Sequence, residues 1–406
     1  MQKTDEVKVM RDPIHGYIHV DEQVIWDCIN AKEFQRLRRI HQLGGDFQVY
    51  HTAEHTRFSH SLGVYEIVRR MVGEIPHLKE SLNEYEKVTA MLAGLLHDIG
   101  HGPFSHAFEG ISALKHEEYT VKIILENSEI HHILEAVDPN LPKDVASIIT
   151  YQHPKECMNQ LVSGQLDADR MDYLLRDAYF TGTNYGKFDL ERILRTIRVK
   201  DGKIVVKESG IHSVEDYIMA RYHMYWQVYL HPVARSYEIL LTSIFKRMKE
   251  LYRKHPDFGK EVSMFVPFLK EEAASIQDLF LLDEGAALYG FSCLRNSEDE
   301  ILKDLSRRIL DRKLFEYETI HDEKEIEDIR KRVQDKGYDP SYYVHRDIVF
   351  QKPYAPYSGK NTAHAVWVLK EDGSISELEE ASEIVHALTK ADLKEEQKVY
   401  YPKEKL

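Results

Sequence analysis

Ten consecutive residues, His97 to His106, hold three imidazoles and a carboxylate in the run Leu95-Leu96-His97-Asp98-Ile99-Gly100-His101-Gly102-Pro103-Phe104-Ser105-His106. The apolar packing expected here places these groups indoors, where histidine and aspartate cost free energy unless they are paired or bound to metal. Two more candidate ligands stand at a distance. His60 lies in Arg57-Phe58-Ser59-His60-Ser61-Leu62-Gly63, and Asp169 in Asp167-Ala168-Asp169-Arg170-Met171-Asp172-Tyr173. The set predicts a mononuclear or dinuclear metal centre that hydrolyses a phosphate ester. Imidazole and carboxylate suit a divalent cation (Mn, Fe, Mg, Zn or Co), and no thiolate is nearby to argue for a structural zinc. His97 and His101 are four residues apart, so a helix would put them on one face. Gly100, Gly102 and Pro103 should end that helix and leave His101 and His106 on a loop near the mouth of the site.

These groups need helices to position them. Apolar residues recur at three- and four-residue spacing over 31–43, 60–73, 84–97, 116–126, 143–151, 158–177, 213–230 and 233–254, so most of 21–320 reads as helix. Asp169, Tyr173 and Asp177 then form one helical stripe, and Arg221, Tyr225 and Tyr229 a second. An aromatic stripe of this kind also reads as core. Val7 to Val20, with Asp12-Pro13 and His15-Gly16, suits an extended strand and turn. Thr196 to Lys207 alternates around Asp201-Gly202 and predicts a hairpin. The tail adds strands at Tyr343–Phe350 and Ala363–Leu369, a turn at Glu371–Ser374, and a charged helix or linker over Asp322–Lys336. The expected architecture is mainly α: a helical core over 1–250 with its motifs at about 55–180, short β-hairpins, and a smaller α+β lobe over 251–406.

A chain of 406 residues exceeds the usual single core, and 43% hydrophobic content with 10% aromatics is ample for packing. It has no run of 18 apolar residues and no signal-peptide core near Met1. Cys28, Cys157 and Cys293 are odd in number and scattered, which makes no disulfide framework and fits a cytoplasmic protein away from membranes. A net charge of −14 disfavours a broad nucleic-acid surface but allows a small polyanion in a local basic pocket. Arg36, Arg38 and Arg39 form one such concentration; an exposed helix face accounts for them equally well.

His60, His97-Asp98 and Asp169 resemble the H…HD…D signature of the HD-domain phosphohydrolases. Six segments narrow the resemblance: Asp12 to Ile18, Phe34 to Arg38, Gln42 to Gly45, Arg57 to Val64, His97 to His106, and Asp169 to Asp177. They look like the HD-domain deoxynucleoside triphosphate triphosphohydrolases, closest to the sterile-alpha-motif-and-HD-domain type, here with no room expected for the sterile alpha motif. The likeness is dense from about residue 8 to 235.

That resemblance implies cleavage of a dNTP to deoxynucleoside and inorganic triphosphate, with His60, His97, Asp98 and Asp169 holding the metal. It assigns His101, His106, Glu109 and His116 to catalysis, with His116 or His106 as general acid. Glu109 stands where the family commonly has Asp. Arg57, His101, Arg170 and Arg221 match phosphate contacts, and Arg170 occupies a position where relatives can carry Lys. Tyr173, Asp177 and Gln42 would hold the sugar, while Tyr229 and Leu43 crowd its 2′ position. Leu230 replaces a polar residue that can read the base, implying loose base discrimination.

The same resemblance implies a nucleotide activator at Lys8, Val9, Gln35, Arg38 and Arg312, and a homotetramer. Arg11 and Asn30 depart from the relatives' Asn and Asp, so a carboxylate that would pair with a guanine edge is missing. Two other readings stand beside this one: an HD phosphohydrolase for an alarmone or a nucleoside monophosphate, and a nucleotide-sensing regulator without activity.

Overall fold

The chain opens as a hairpin because Asp12 closes a turn on itself. Its Oδ1 accepts the N–H groups of Ile14 and His15, and Gly16 takes φ 74°, a left-handed conformation that costs glycine little. Strand β1 (Lys3–Asp12) thereby pairs antiparallel with β2 (Gly16–Glu22). This computed structural model describes residues 1–260, 262–351, 365–390 and 394–403.

The remainder is mainly α. Helix α1 (Arg57–Glu74) is buried around most of its circumference, with Val64, Tyr65, Ile67, Val68 and Met71 in the core and only its C-terminal end, at Arg69, Arg70 and Glu74, turned toward solvent. It packs against α2 (Glu84–Leu96) and α3 (Ala168–Thr181). Asn83 starts α2 with a reciprocal capping box to Glu86, and Asp167 caps α3 by accepting the Arg170 N–H. Beyond them, α4 (Ile211–Met224) leads to the long α5 (Pro232–Lys254), and α6 (Glu284–Leu294) begins behind the N-cap Asp283.

Three helix expectations change on folding. The 31–43 segment is helical only over Lys32–Arg36, followed by a 3-10 turn at Leu37–Arg39. The 158–177 segment is two helices, Glu156–Ser163 and α3, separated around Gly164 and the capping Asp167. After Met224 the α-helix widens into a π-type turn over Tyr225–Tyr229, where Leu230 N–H reaches the Tyr225 carbonyl at 2.8 Å. The Arg221, Tyr225, Tyr229 stripe therefore loses its regular 3.6-residue period at Tyr229.

The strands around Asp201-Gly202 form the hairpin Ile197–Lys200 with Lys203–Lys207. Lys203–Lys207 also pairs in parallel with Trp367–Leu369, which continues to Ile375–Glu377. The C-terminal part is thus stitched into the sheet beside the helical core. A second small sheet orders Glu316–Thr319, Lys394–Tyr401 and His345–Gln351, and Glu323–Asp335 is a helix. Among the described residues, no helix is long and apolar enough to cross a membrane.

Helices α1 and α3 approach closely at Gly63, where an added methyl would overlap the Asp172 carboxylate and the Arg176 guanidinium. Both of those side chains are fully buried and locked in a salt bridge, so neither can retreat. Gly63→Ala is expected to cost about 3 kcal/mol of stability, the upper end for overpacking a core. Urea denaturation of the metal-free chain checks this.

Candidate metal centre and adjoining cavity

The ends of three helices bring the ligand candidates together. His60 lies in the first turn of α1, and Asp169 in the first turn of α3. Helix α2 stops at Leu96, which leaves His97 and Asp98 on the turn that follows. Thr120 holds this turn, accepting the Gly100 N–H at 3.0 Å and donating to the His97 carbonyl at 3.1 Å. His97 and His101 therefore do not share a helix face: the helix has ended before either, and His101 instead stacks on His116 with centroids 3.8 Å apart.

His60 Nε2 lies 3.1 Å from Asp169 Oδ1 and 3.9 Å from Asp98 Oδ2. His97 Nε2 lies 3.4 Å from Asp98 Oδ1 and 3.6 Å from Asp169 Oδ1. Adjacent ligands of an octahedral cation with bonds of about 2.1 Å sit about 3 Å apart, so modest inward movement suffices. The His97 Nδ1 edge faces the Gly94 carbonyl at 2.9 Å, while its buried Nε2 has no hydrogen-bond partner. An orphaned imidazole nitrogen facing two carboxylates is what a cation would satisfy, and the residues fit one. Asp98, His101 and His116 also offer ligand atoms within 4.8 Å of one another, so Asp98 could serve two cations.

Charge in this interior is tightly matched. Burial opposes a charge on His60, but the Asp169 and Asp172 carboxylates outweigh it and hold its pKa up at about 10. For Asp169, burial works the other way, but the hydrogen bond from His60 and the nearby His97 ring keep the carboxyl below its usual range. His101 is pushed well below its usual value by burial and by the Arg57 cation. Arg57 itself ion-pairs with Asp98 and donates to Ser105 Oγ at 2.7 Å.

A cavity of about 390 Å³ opens from Asp98, Asp169, His101 and His116 and runs past Arg57, Gln42, Leu43, Tyr173, Asp177 and Tyr229. Asp177 Oδ2 accepts the Tyr229 hydroxyl at 2.8 Å, and its Oδ1 faces His55 Nε2 at 2.7 Å. The Gln42 Oε1 is buried without a hydrogen-bond partner. Arg170 and Arg221 are engaged elsewhere: Arg170 ion-pairs with Asp167, and Arg221 donates to Gln165 Oε1 at 2.9 Å. Glu109 Oε1 sits 2.5 Å from His116 Nδ1. The side chain of His106 lies outside the described residues.

The residues expected to bind an activator have separate engagements. Lys8 pairs with Asp5 and Glu6 on β1, and Val9 is half exposed beside it. Arg38 donates to Gln35 Oε1 at 2.9 Å and lies over the Phe58 ring; Arg312 donates to the Gln48 carbonyl. Arg11 reaches the Tyr17 hydroxyl and Asn30 the Trp26 carbonyl.

Several neighbours of the site stand outside its expected residues. Glu284 accepts the N–H groups of His41 and Phe104, and Arg36 donates to the His101 and Leu282 carbonyls. Asp46, Arg235 and Glu238 line the cavity too. Burial, with Glu238 and Asp177 nearby, raises the Asp46 carboxyl well above its ordinary range.

The HD-domain profile matches residues 57–177, and that of the HD associated region matches 188–258. The uncharacterized protein YwfO of Bacillus subtilis is 44% identical over 99% of this chain and 94% of its own length. The deoxynucleoside triphosphate triphosphohydrolase SAMHD1 homolog of Dictyostelium discoideum is 32% identical over 59% of this chain, which spans 49% of that protein. A crystal structure of a phosphohydrolase from Bacteroides thetaiotaomicron superposes with a TM-score of 0.84 at 28% identity, covering 98% of this chain and all of the other.

Two outcomes follow from the geometry. His97→Ala removes the orphaned nitrogen and should lower bound Mn²⁺, measured by elemental analysis after dialysis, by at least tenfold. Asp46 takes up a proton on folding, so it costs stability as pH rises from the unfolded carboxyl value of about 3.9 through its raised folded value. The gain in urea midpoint from Asp46→Asn should therefore be larger at pH 8 than at pH 4.

Proposed function

The chain belongs to the HD-domain phosphohydrolases, and we propose that it hydrolyses deoxynucleoside triphosphates to deoxynucleoside and inorganic triphosphate. One observation carries this reading: the cation-ligand cluster forms one end of a nucleotide-sized cavity whose wall combines Arg57 with Gln42, Leu43, Tyr173, Asp177 and Tyr229. The likeness to relatives named as deoxynucleoside triphosphate triphosphohydrolases supports the choice of substrate.

A divalent cation held by His60, His97, Asp98 and Asp169 would supply Lewis acidity toward a phosphoryl oxygen. Arg57, braced by Asp98 and Ser105, presents a fixed positive charge to the phosphates, and Arg170 and Arg221 would add theirs by exchanging their present partners. Water attacks the α-phosphorus, the bond to O5′ breaks, and the departing oxygen takes a proton. His116 supplies that proton: Glu109 bonds its Nδ1 edge and holds the ring, so transfer runs through the Nε2 edge. His101, kept neutral, can hydrogen-bond a phosphate oxygen without adding charge; His106 completes the catalytic group.

Asp177, already oriented by His55 and Tyr229, accepts the 3′-hydroxyl proton, and the Gln42 amide holds the same hydroxyl from beside it. Tyr173 packs edge-on to Tyr229 with centroids 6.0 Å apart, and this wall with Leu43 leaves little room for a 2′-hydroxyl. Activation by a nucleotide at Lys8, Val9, Gln35, Arg38 and Arg312, within a homotetramer, belongs to the same proposal.

Purified protein given each dNTP with Mn²⁺ should release inorganic triphosphate; pyrophosphate or orthophosphate as first product overturns the reading in favour of another nucleotide ester. His116→Gln should lower kcat by about 10²–10⁴-fold with KM changed little, the range for loss of a general acid. Leu43→Ala should raise turnover of ribonucleotides relative to deoxynucleotides in the same product assay.

A further inference from the structure

A buried relay connects the turn of the N-terminal hairpin to the metal-site imidazole of His60. Asp172, in the second turn of α3, places its Oδ2 2.8 Å from His60 Nδ1. Its Oδ1 lies 2.6 Å from His15 Nε2. Arg176, one turn further along α3, donates to both oxygens, at 2.8 and 2.9 Å, and to Asp12 Oδ2 at 2.8 Å. Asp12 is the residue that closes the hairpin turn and orders the His15 backbone. The side chains of His60, Asp172 and Arg176 are fully inaccessible, and that of His15 is 3% exposed.

The hydrogen-bond inventory determines where the protons sit. A carboxylate has about four lone-pair sites. Those of Asp172 are filled by two N–H groups of Arg176, one of His60 and one of His15. Asp172 paired to Arg176 only accepts, so His60 Nδ1 is the protonated nitrogen. With a cation bound in place of the Nε2 proton, that nitrogen carries the lone pair, and it lies beside Asp169, Asp98 and His97. Gly63 makes the approach possible, since any side chain there would displace Asp172.

We infer that Asp172 is a positioning residue that sets the tautomer and angle of His60 for the cation, and that His15 of the hairpin turn is its second holder. Seating of the hairpin therefore tunes cation affinity through Asp172, 157 residues along the chain from His15, without touching substrate. The inference rests on the metal-site reading and is independent of which ester is cleaved.

The test is Mn²⁺ alone, titrated into metal-free full-length protein and followed by the EPR signal of the free ion. His15→Gln should weaken the Kd by about tenfold and Asp172→Asn by about a hundredfold, the range for loss of a ligand's hydrogen-bond partner. Val7→Ala, on the exposed face of the same hairpin, should leave the Kd unchanged. The double variant should bind no more weakly than Asp172→Asn, because His15 acts through Asp172. A wild-type Kd for His15→Gln overturns the inference, even if the metal-free protein melts at lower temperature, since that is what a purely structural role predicts. Full additivity in the double variant overturns it as well. Should Asp172→Asn not fold, the Co²⁺ absorption spectrum of His15→Gln decides: shifted ligand-field bands support the relay, and an unchanged spectrum overturns it. Wild-type protein that binds no Mn²⁺ would instead bring down the metal-site reading on which the inference stands.

Discussion

Ionised side chains cannot be buried singly, and the centre of this protein buries Asp98, Asp172, Arg57 and Arg176 together with His60, with His97 and the part-exposed Asp169 at its edge. Each charge is tolerable only because a partner of opposite sign, or an imidazole, lies within hydrogen-bond reach. That requirement places the ends of α1 and α3 and the turn after α2 in one small volume. It also brings the hairpin turn against α3, because Arg176 needs a second carboxylate and finds it in Asp12.

The loop carrying His101 and Ser105 is under a different constraint. Phe104 and Ser105 both take positive φ, 59° and 50°, which costs side-chain-bearing residues about 1–3 kcal/mol each. The surrounding structure holds them there. Glu284 receives the Phe104 N–H, Arg36 grips the His101 carbonyl, and the Leu282 carbonyl receives Arg36 in turn. His41 completes the clamp by ion pairing with Glu284. Its pKa is raised because the Glu284 and Glu54 carboxylates outweigh the burial that opposes its charge. Helix α6 thus contributes to the site without lending it a reactive group.

Much of the fold was legible. The hydrophobic period marks α1, α2 and α5 closely and α4 as far as its π-type turn, and Asp201-Gly202 marks its hairpin. The divided helix around Gly164 and the short Lys32–Arg36 helix were not legible, because apolar spacing continues through both breaks. Capping by Asp167 overrides that spacing in one, and in the other a 3-10 turn lets Arg36 point inward. The ligand candidates stood out because imidazole beside carboxylate in an apolar run demands an explanation. Glu284 and Asp46 gave no such signal, and Asp172 and His15, though inside segments that carry the resemblance, gave no sign of each other: the pairing exists only once a distant residue meets its partner.

The amino-acid order alone determined the mainly helical class, the ends of several helices, and which side chains are suited to hold a cation. These follow from period, caps and donor chemistry, all of which act within a few residues. Tertiary structure alone decided that α2 ends before His97, that Arg170 and Arg221 rest on Asp167 and Gln165, and that a turn at residues 12–15 backs a ligand at residue 60. Those outcomes depend on matching buried charges across long sequence separations, and no local pattern contains the identity of the partner.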